Sequence, residues 1–391
     1  MARRHERDGG ATHDAAVRKP PRRRCTNEAA TPLYAHRHAA VRTRPPRRYT
    51  NGAEAGAGAG AGCRTNATVT PLTTAGTVPP TPPRGRRRRM GTILVGTCSW
   101  TDRALLSSGW YPQGLRDAAG RLRHYATRFP VVEVDATYYH LPSTRNSALW
   151  TERTPDGFRF DVKAFSLLTG HPTSPNALPA DLRPALKGRQ DRRPGPTDTD
   201  PALLDEIWQR FSGALEPLRR AGRLGALLFQ FPPWFAPGDA RAKAFLAHCA
   251  RRTAGWPVAV EFRHPGWWQG GERAETAAAL EDWGMSAVAV DMTQTLPTSI
   301  PPVTPVTSPR LAVTRFHGRN EAWGTGTKEE RFRHTYAADE LSEWIPRLRG
   351  MAERADEVHA LFNNCCADAA ARAAESMRQL LDAPTGPGRD V

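Results

Sequence analysis

The stretch VAVEFRHPGWW, residues 258–268, runs through apolar positions and then delivers Glu261, Arg263 and His264 within four residues. Other apolar runs finish in the same way. VVEVDATYYH carries Glu133, Asp135 and Tyr139; FRFDVK carries Asp161 and Lys163; LLFQF carries Gln230. Asp291 closes SAVAVD, LAVTRFH ends in Arg315 and His317, LFNN holds Asn363, and GTCSW holds Cys98 and Trp100. Carboxylates in unlike, partly apolar surroundings acquire separated pKa values and can divide acid and base roles. Paired cations in a concavity recognise phosphate or carboxylate. On residue type, the catalytic candidates are Glu133, Lys163, Glu261, His264, Asp291 and His317. Glu133 and Glu261 would be the acid/base pair, and His264, His317 and Asp291 would orient it or relay protons. The substrate-binding candidates are Trp100, Asp135, Tyr139, Gln230, Arg263, Arg315 and Asn363, with Lys163, Arg263 and Arg315 holding an anion. His171 is a further possible base.

These residues meet only if the chain brings distant segments together. The apolar runs 92–97, 131–137, 158–164, 225–231, 258–264, 286–292, 311–317 and 358–364 are short and rich in Val, Ile, Leu and Phe, and several are continuous. Strands covered on both faces read this way. Helical spacing fills most gaps: 115–129, 145–153, 203–221, 240–252, 273–283, 337–355 and 367–383. After the sixth run, five prolines between 297 and 309 rule out a regular helix. Strand–helix alternation predicts a parallel sheet, and eight units predict an α/β fold of the (β/α)8 TIM-barrel type. Polar groups at every strand end favour the barrel over an open sheet, whose ligands gather at one switch point. In a barrel those ends share one mouth. Residues two apart on a strand face the same way. Glu133 therefore goes with Asp135, Asp161 with Lys163, Glu261 with Arg263, and Arg315 with His317. Gln230, Asp291 and Asn363 are expected to point inward with them.

The segments GTCSW, VEVDATYYHLPS, FRFDVKAFSLLTGH, LGALLFQFPPWF, VEFRHPGWW, RFHGR and LFNNCCADAAARAA resemble, in order, the motifs of the DUF72 (YecE-like) family of unknown function. The resemblance spans most of residues 91–383. It implies a TIM-type barrel and no particular reaction. It places Glu133, Lys163, His171, Gln230, Glu261, Arg263, His264, Asp291, Arg315, His317 and Asn363 on family motif positions. Asp135 stands where the family usually has Asn, Tyr138 where it has Phe, and TGH carries an extra glycine.

The formal charge of +16 is unevenly spread: 19 basic and 5 acidic residues precede Met90, so the remainder is close to neutral. The basic, aromatic-poor segment 1–89 reads as a disordered leader, with translation expected to start near Met90. Residues 90–385 are the barrel, 172–201 a lid-like insertion and 386–391 a tail. A near-neutral body makes nucleic acid an unfavoured partner for the barrel, although a nucleic-acid-processing protein stays an alternative. A non-catalytic ligand-binding barrel is the other. No apolar run has the length of a membrane span. Six cysteines, two of them in the leader, make no disulfide framework, so a cytoplasmic protein is expected. No organic cofactor is expected, and no His-x-x-x-His or Cys-x-x-Cys spacing supports a metal, although the carboxylates and imidazoles are suitable ligand types. The expectation is a hydrolase or isomerase acting on a small anionic or sugar-like substrate. The sequence leaves the oligomeric state open.

Overall fold

The computed structural model describes residues 89–186, 199–364 and 366–383. Eight parallel strands close into a barrel in sequence order. They are β1 (Thr92–Thr97), β2 (Val131–Val134), β3 (Arg159–Lys163), β4 (Leu224–Phe231), β5 (Val258–Phe262), β6 (Ser286–Asp291), β7 (Leu311–Phe316) and β8 (Glu357–Phe362). Strands β1 and β8 pair over six registered positions, from Thr92 with Glu357 to Thr97 with Phe362, and this pairing closes the sheet. Helices lie between successive strands except between β6 and β7, where the proline-rich segment has none. The expected helix 337–355 is two helices, Ala338–Ser342 and Ile345–Ala352, because Pro346 starts the second. Residues 1–88, 187–198, Cys365 and 384–391, and with them nearly all of the expected leader, part of the expected insertion and the expected tail, lie outside the described residues. The described part of the insertion forms two short 3-10 turns, Pro175–Ala177 and Arg183–Leu186. Among the described residues, no helix is long and apolar enough to cross a membrane.

Cross-strand register fixes which side chains fill the barrel. Glu133 pairs with Asp161, Gln230 with Glu261, Val290 with Arg315, and Arg315 with Leu361. Partners in a parallel sheet share a face, so these residues form stacked inward layers. The alternate residues pack outward against the helices. Phe231, Phe235, Phe262 and Trp267 make a stacked column outside β4 and β5, with centroids 4.3–5.9 Å apart, and the Trp267 indole N–H donates to the Phe235 carbonyl at 2.6 Å. The three fully buried rings, Phe231, Phe262 and Trp267, each contribute about 1.5–3 kcal/mol. The column holds the ends of β4 and β5, and with them Gln230 and Arg263.

The lower barrel holds its own ionic layer. His359 Nδ1 lies 2.9 Å from Asp161 and its Nε2 lies 3.3 Å from Glu357, which Arg159 grips at 3.0 and 2.7 Å. Gly225 sits where the β3–β4 register shifts. A Cβ there would stand 2.4 Å from Asp161 Oδ1 and 2.8 Å from His359 Cε1, so only glycine leaves room for the pair.

Candidate functional site

Above that layer, Arg315 is the centre of the cluster. Its Nε and Nη2 donate to the two oxygens of Glu133 at 2.8 and 2.7 Å. Its Nη1 donates to Glu261 Oε2 and to Gln230 Oε1, the latter at 3.2 Å. The Cys98 thiol donates to Glu133 Oε2 at 3.2 Å and its sulfur lies 3.7 Å from Arg315 Nη2. Glu261 Oε1 is 3.0 Å from both His317 Nε2 and Arg263 Nη1. Asn363 Nδ2 lies 3.0 Å from His317 Nδ1. The amide can donate there, so the network assigns the proton of neutral His317 to Nε2, facing Glu261.

Accessibility separates this cluster into two tiers. Glu133, Glu261 and Arg315 have fully buried side chains. Lys163 and Arg263 each expose 13% of their side chains and Asp135 exposes 34%. Lys163 Nζ lies 3.2 Å from Asp135 Oδ1 and 5.0 Å from the centre of the Tyr138 ring. Arg263 is covered by the Trp323 ring at 4.8 Å. A ligand in the mouth therefore meets Lys163, Asp135 and Arg263 before it meets the buried tier.

The electrostatics follow from this layering. Burial pushes the Glu133 carboxyl up, and the neighbouring Asp135 charge adds to it against the pull of Arg315, leaving it at about 7. Burial would raise Asp135 too, but Lys163 and Arg315 outweigh it and hold it below the usual carboxylate range. Glu261 is also opposed by burial, yet Arg315, His317 and Arg263 keep it well below that range. Burial lowers His317 to about 4 despite Glu261, so the imidazole is neutral at pH 7. The cations Arg315, Arg263 and Lys163 balance the three carboxylates when all are ionised. One proton held by the Glu133–Asp135 pair leaves a net positive mouth.

The structure brings together Glu133, Asp135, Lys163, Gln230, Glu261, Arg263, Arg315, His317 and Asn363; Tyr139 and His171 lie on the rim through Tyr138, and Asp291, His264 and Trp100 lie elsewhere. Asp291 pairs in register with Phe316, one position out of phase with Arg315, and so faces the helix layer. There it accepts bonds from Tyr336 at 2.6 Å, Trp344 at 2.7 Å and Arg319 at 2.8 Å. The expectation that Asp291 points inward is corrected: strand-end position does not fix parity. His264 caps the turn Pro265–Trp268 by accepting the Gly266 N–H at 3.1 Å. Trp100 is buried edge-on against Trp150 and Phe160. Tyr139 is half exposed and follows the 3-10 turn Ala136–Tyr138, beyond the end of β2, where strand parity no longer applies. Arg315, expected to hold an anion, spends its donors on protein groups. The Asp161–His359 pair was not anticipated as a unit. Its signal lay in the spacing of His359, Leu361 and Asn363, which share parity on β8.

Among the described residues, no group of three or more His, Cys, Asp or Glu side chains is placed to hold a metal ion. Glu133 and Glu261, the carboxylates nearest such a role, are committed to arginine and imidazole donors.

Comparisons with known proteins agree with this architecture. The profile of a family described as "Protein of unknown function DUF72" matches residues 94–389. The UPF0759 protein YunF of Bacillus subtilis (strain 168) is 29% identical over 298 residues, covering 74% of this chain and 95% of that protein. A solved DUF72 family protein from Thermotoga maritima MSB8 superposes with a TM-score of 0.61 at 28% identity, covering 75% of this chain and 100% of that one. A second, from Enterococcus faecalis V583, gives 0.60 at 25% identity, covering 75% and 98%.

Proposed function

This chain belongs to the DUF72 family, and from the chemistry of its barrel mouth we propose that it is an enzyme working by acid–base catalysis on a small anionic substrate. One observation carries the reading: the buried Glu133, gripped by Arg315, stands two residues from Asp135, a partly exposed carboxylate 3.2 Å from Lys163 Nζ, and this layering pushes the first carboxyl up and holds the second low. Two neighbouring carboxyls with separated pKa values are the means by which a site both gives and takes a proton near neutral pH. Lys163 and Arg263 take the anion. Asp135 reaches the substrate as base, and Glu133 beneath it stores the exchanged proton.

Glu261 and Arg315 then have supporting roles. Glu261 uses its oxygens to fix Arg263 and His317, and Arg315 is the counter-ion that makes two buried carboxylates tolerable. Isomerisation and hydrolysis are the reaction classes that need no more than these groups.

The test incubates the full chain with a mixture of phosphorylated and carboxylated metabolites and follows each by mass spectrometry. Wild-type depletion of a compound, lost in Asp135→Asn and weakened in Lys163→Met, supports the reading. A compound that binds saturably and is always recovered unchanged makes the barrel a binding protein and ends the catalytic reading.

A further inference from the structure

The rim beside Lys163 carries four linked rings. Tyr139 lies 5.1 Å from Tyr138, Tyr138 lies 5.2 Å from His171, and His171 lies 5.9 Å from Trp234, each pair roughly perpendicular. Trp234 at one end of this row of rings is 56% exposed. Most large aromatics among the described residues are buried, so an exposed indole at the C-terminal end of the barrel strands is a surface available for stacking.

His171 supplies the second feature. Thr169 Oγ1 donates to the Ser166 carbonyl at 3.0 Å and therefore accepts from His171 Nδ1 at 2.9 Å. The proton of the neutral ring is thus on Nδ1, and Nε2 offers a lone pair. Burial and the nearby Lys163 charge lower this histidine to about 4, so it stays neutral. Among the described residues Nε2 makes no hydrogen bond, and the His171 residue is partly exposed. Gly170, at φ 81°, makes the left-handed turn that swings His171 back over the Ser166–Thr169 turn.

We propose that this rim is a subsite for a hydroxylated ring bearing an anionic group, a sugar phosphate or sugar acid. Trp234 stacks on the apolar face of the ring. His171 Nε2 and Asp135 accept from ring hydroxyls, and Lys163 Nζ, which makes one ion pair among the described residues, gives its remaining donors to the anion. Acceptors next to an aromatic face select hydroxyls, because a flat aromatic ligand would leave them unsatisfied. The inference rests on the reading of the mouth as an anionic-substrate site and narrows it.

The experiment titrates the full chain by calorimetry with three probe pairs: glucose 6-phosphate and glucuronate, phenyl phosphate and benzoate, inorganic phosphate and citrate. The expected result is saturable binding of the first pair above the others. Trp234→Ala should weaken it by roughly three- to tenfold and His171→Phe, which keeps a packed ring, by a few-fold. Circular dichroism checks that each variant is folded. Sugar binding that ignores both substitutions overturns the subsite. Binding of the other pairs through Lys163, with none of the sugars, overturns the sugar assignment and spares the anionic-substrate reading. No binding of any probe overturns both.

Discussion

Arg315 grips Glu133 through two parallel hydrogen bonds, at 2.8 and 2.7 Å, and neither side chain is exposed. Strands β8 and β1 lie between the strands that carry them, so the contact crosses the interior of the barrel. A paired charge in such a place is tolerable only while its partner is present.

Arg315→Met should therefore destabilise the protein by about 3–5 kcal/mol, since it leaves two carboxylates without their shared cation. Adding Glu133→Gln should recover part of the loss, because the residues are in contact and their effects do not add. Urea unfolding of the three variants measures this; an Arg315→Met protein as stable as wild type would contradict the buried network.

Glu133 should titrate with a midpoint near 7. Its protonated carboxyl should be visible by infrared difference spectroscopy and missing in Glu133→Gln. Asp135→Asn removes a neighbouring negative charge that raises Glu133, so the midpoint should move down. A midpoint that stays put or rises would show that the two carboxyls do not share a proton.

His359 ties stability to pH in the opposite half of the scale. Burial alone would lower it, but Asp161 and Glu357 lift it to about 9. The folded state thus holds this proton more tightly than the unfolded chain. Its contribution is complete below pH 6.5 and is lost as pH rises through 9, a span of about 3 kcal/mol at most. Urea midpoints between pH 7 and 9 should fall for wild type and stay nearly level for His359→Gln. Parallel slopes in both proteins would remove His359 from the account.

Gly225→Ala should cost about 2–4 kcal/mol, because the new Cβ overlaps Asp161 and pushes on the His359 pair. A thermal melt within a degree or two of wild type would mean the register shift in β4 relaxes freely.

Much of this arrangement is legible in the sequence, and the misses have physical causes. Val, Ile and Phe runs fix where β5 and β7 lie, and period two then puts Glu261 with Arg263 and Arg315 with His317. Parity within a strand says nothing about the phase between strands. Asp291 was therefore free to fall on the outer face, which depends on its register with Phe316. The place of Tyr139 is not set by strand period, because β2 ends at Val134 and the chain turns into a 3-10 helix before reaching it. Trp267 and Trp268, just past the end of β5, are both buried, and Trp267 takes its place from stacking on Phe262, a contact between separate segments that residue type does not announce. Which tier of charges meets solvent is set by depth along the barrel axis, a coordinate that no single segment encodes.

The seam between first and last strands gives the cluster an additional role. A sheet still open at that seam would hold Glu133 near one free border and Arg315 near the other, each facing water alone. Rolling the sheet shut is what introduces them, so the same event completes the scaffold and assembles the buried charge cluster. A chain cut into two fragments between β4 and β5 would carry Glu133 and Arg315 on different pieces, and recovery of function on mixing would report reassociation of the halves.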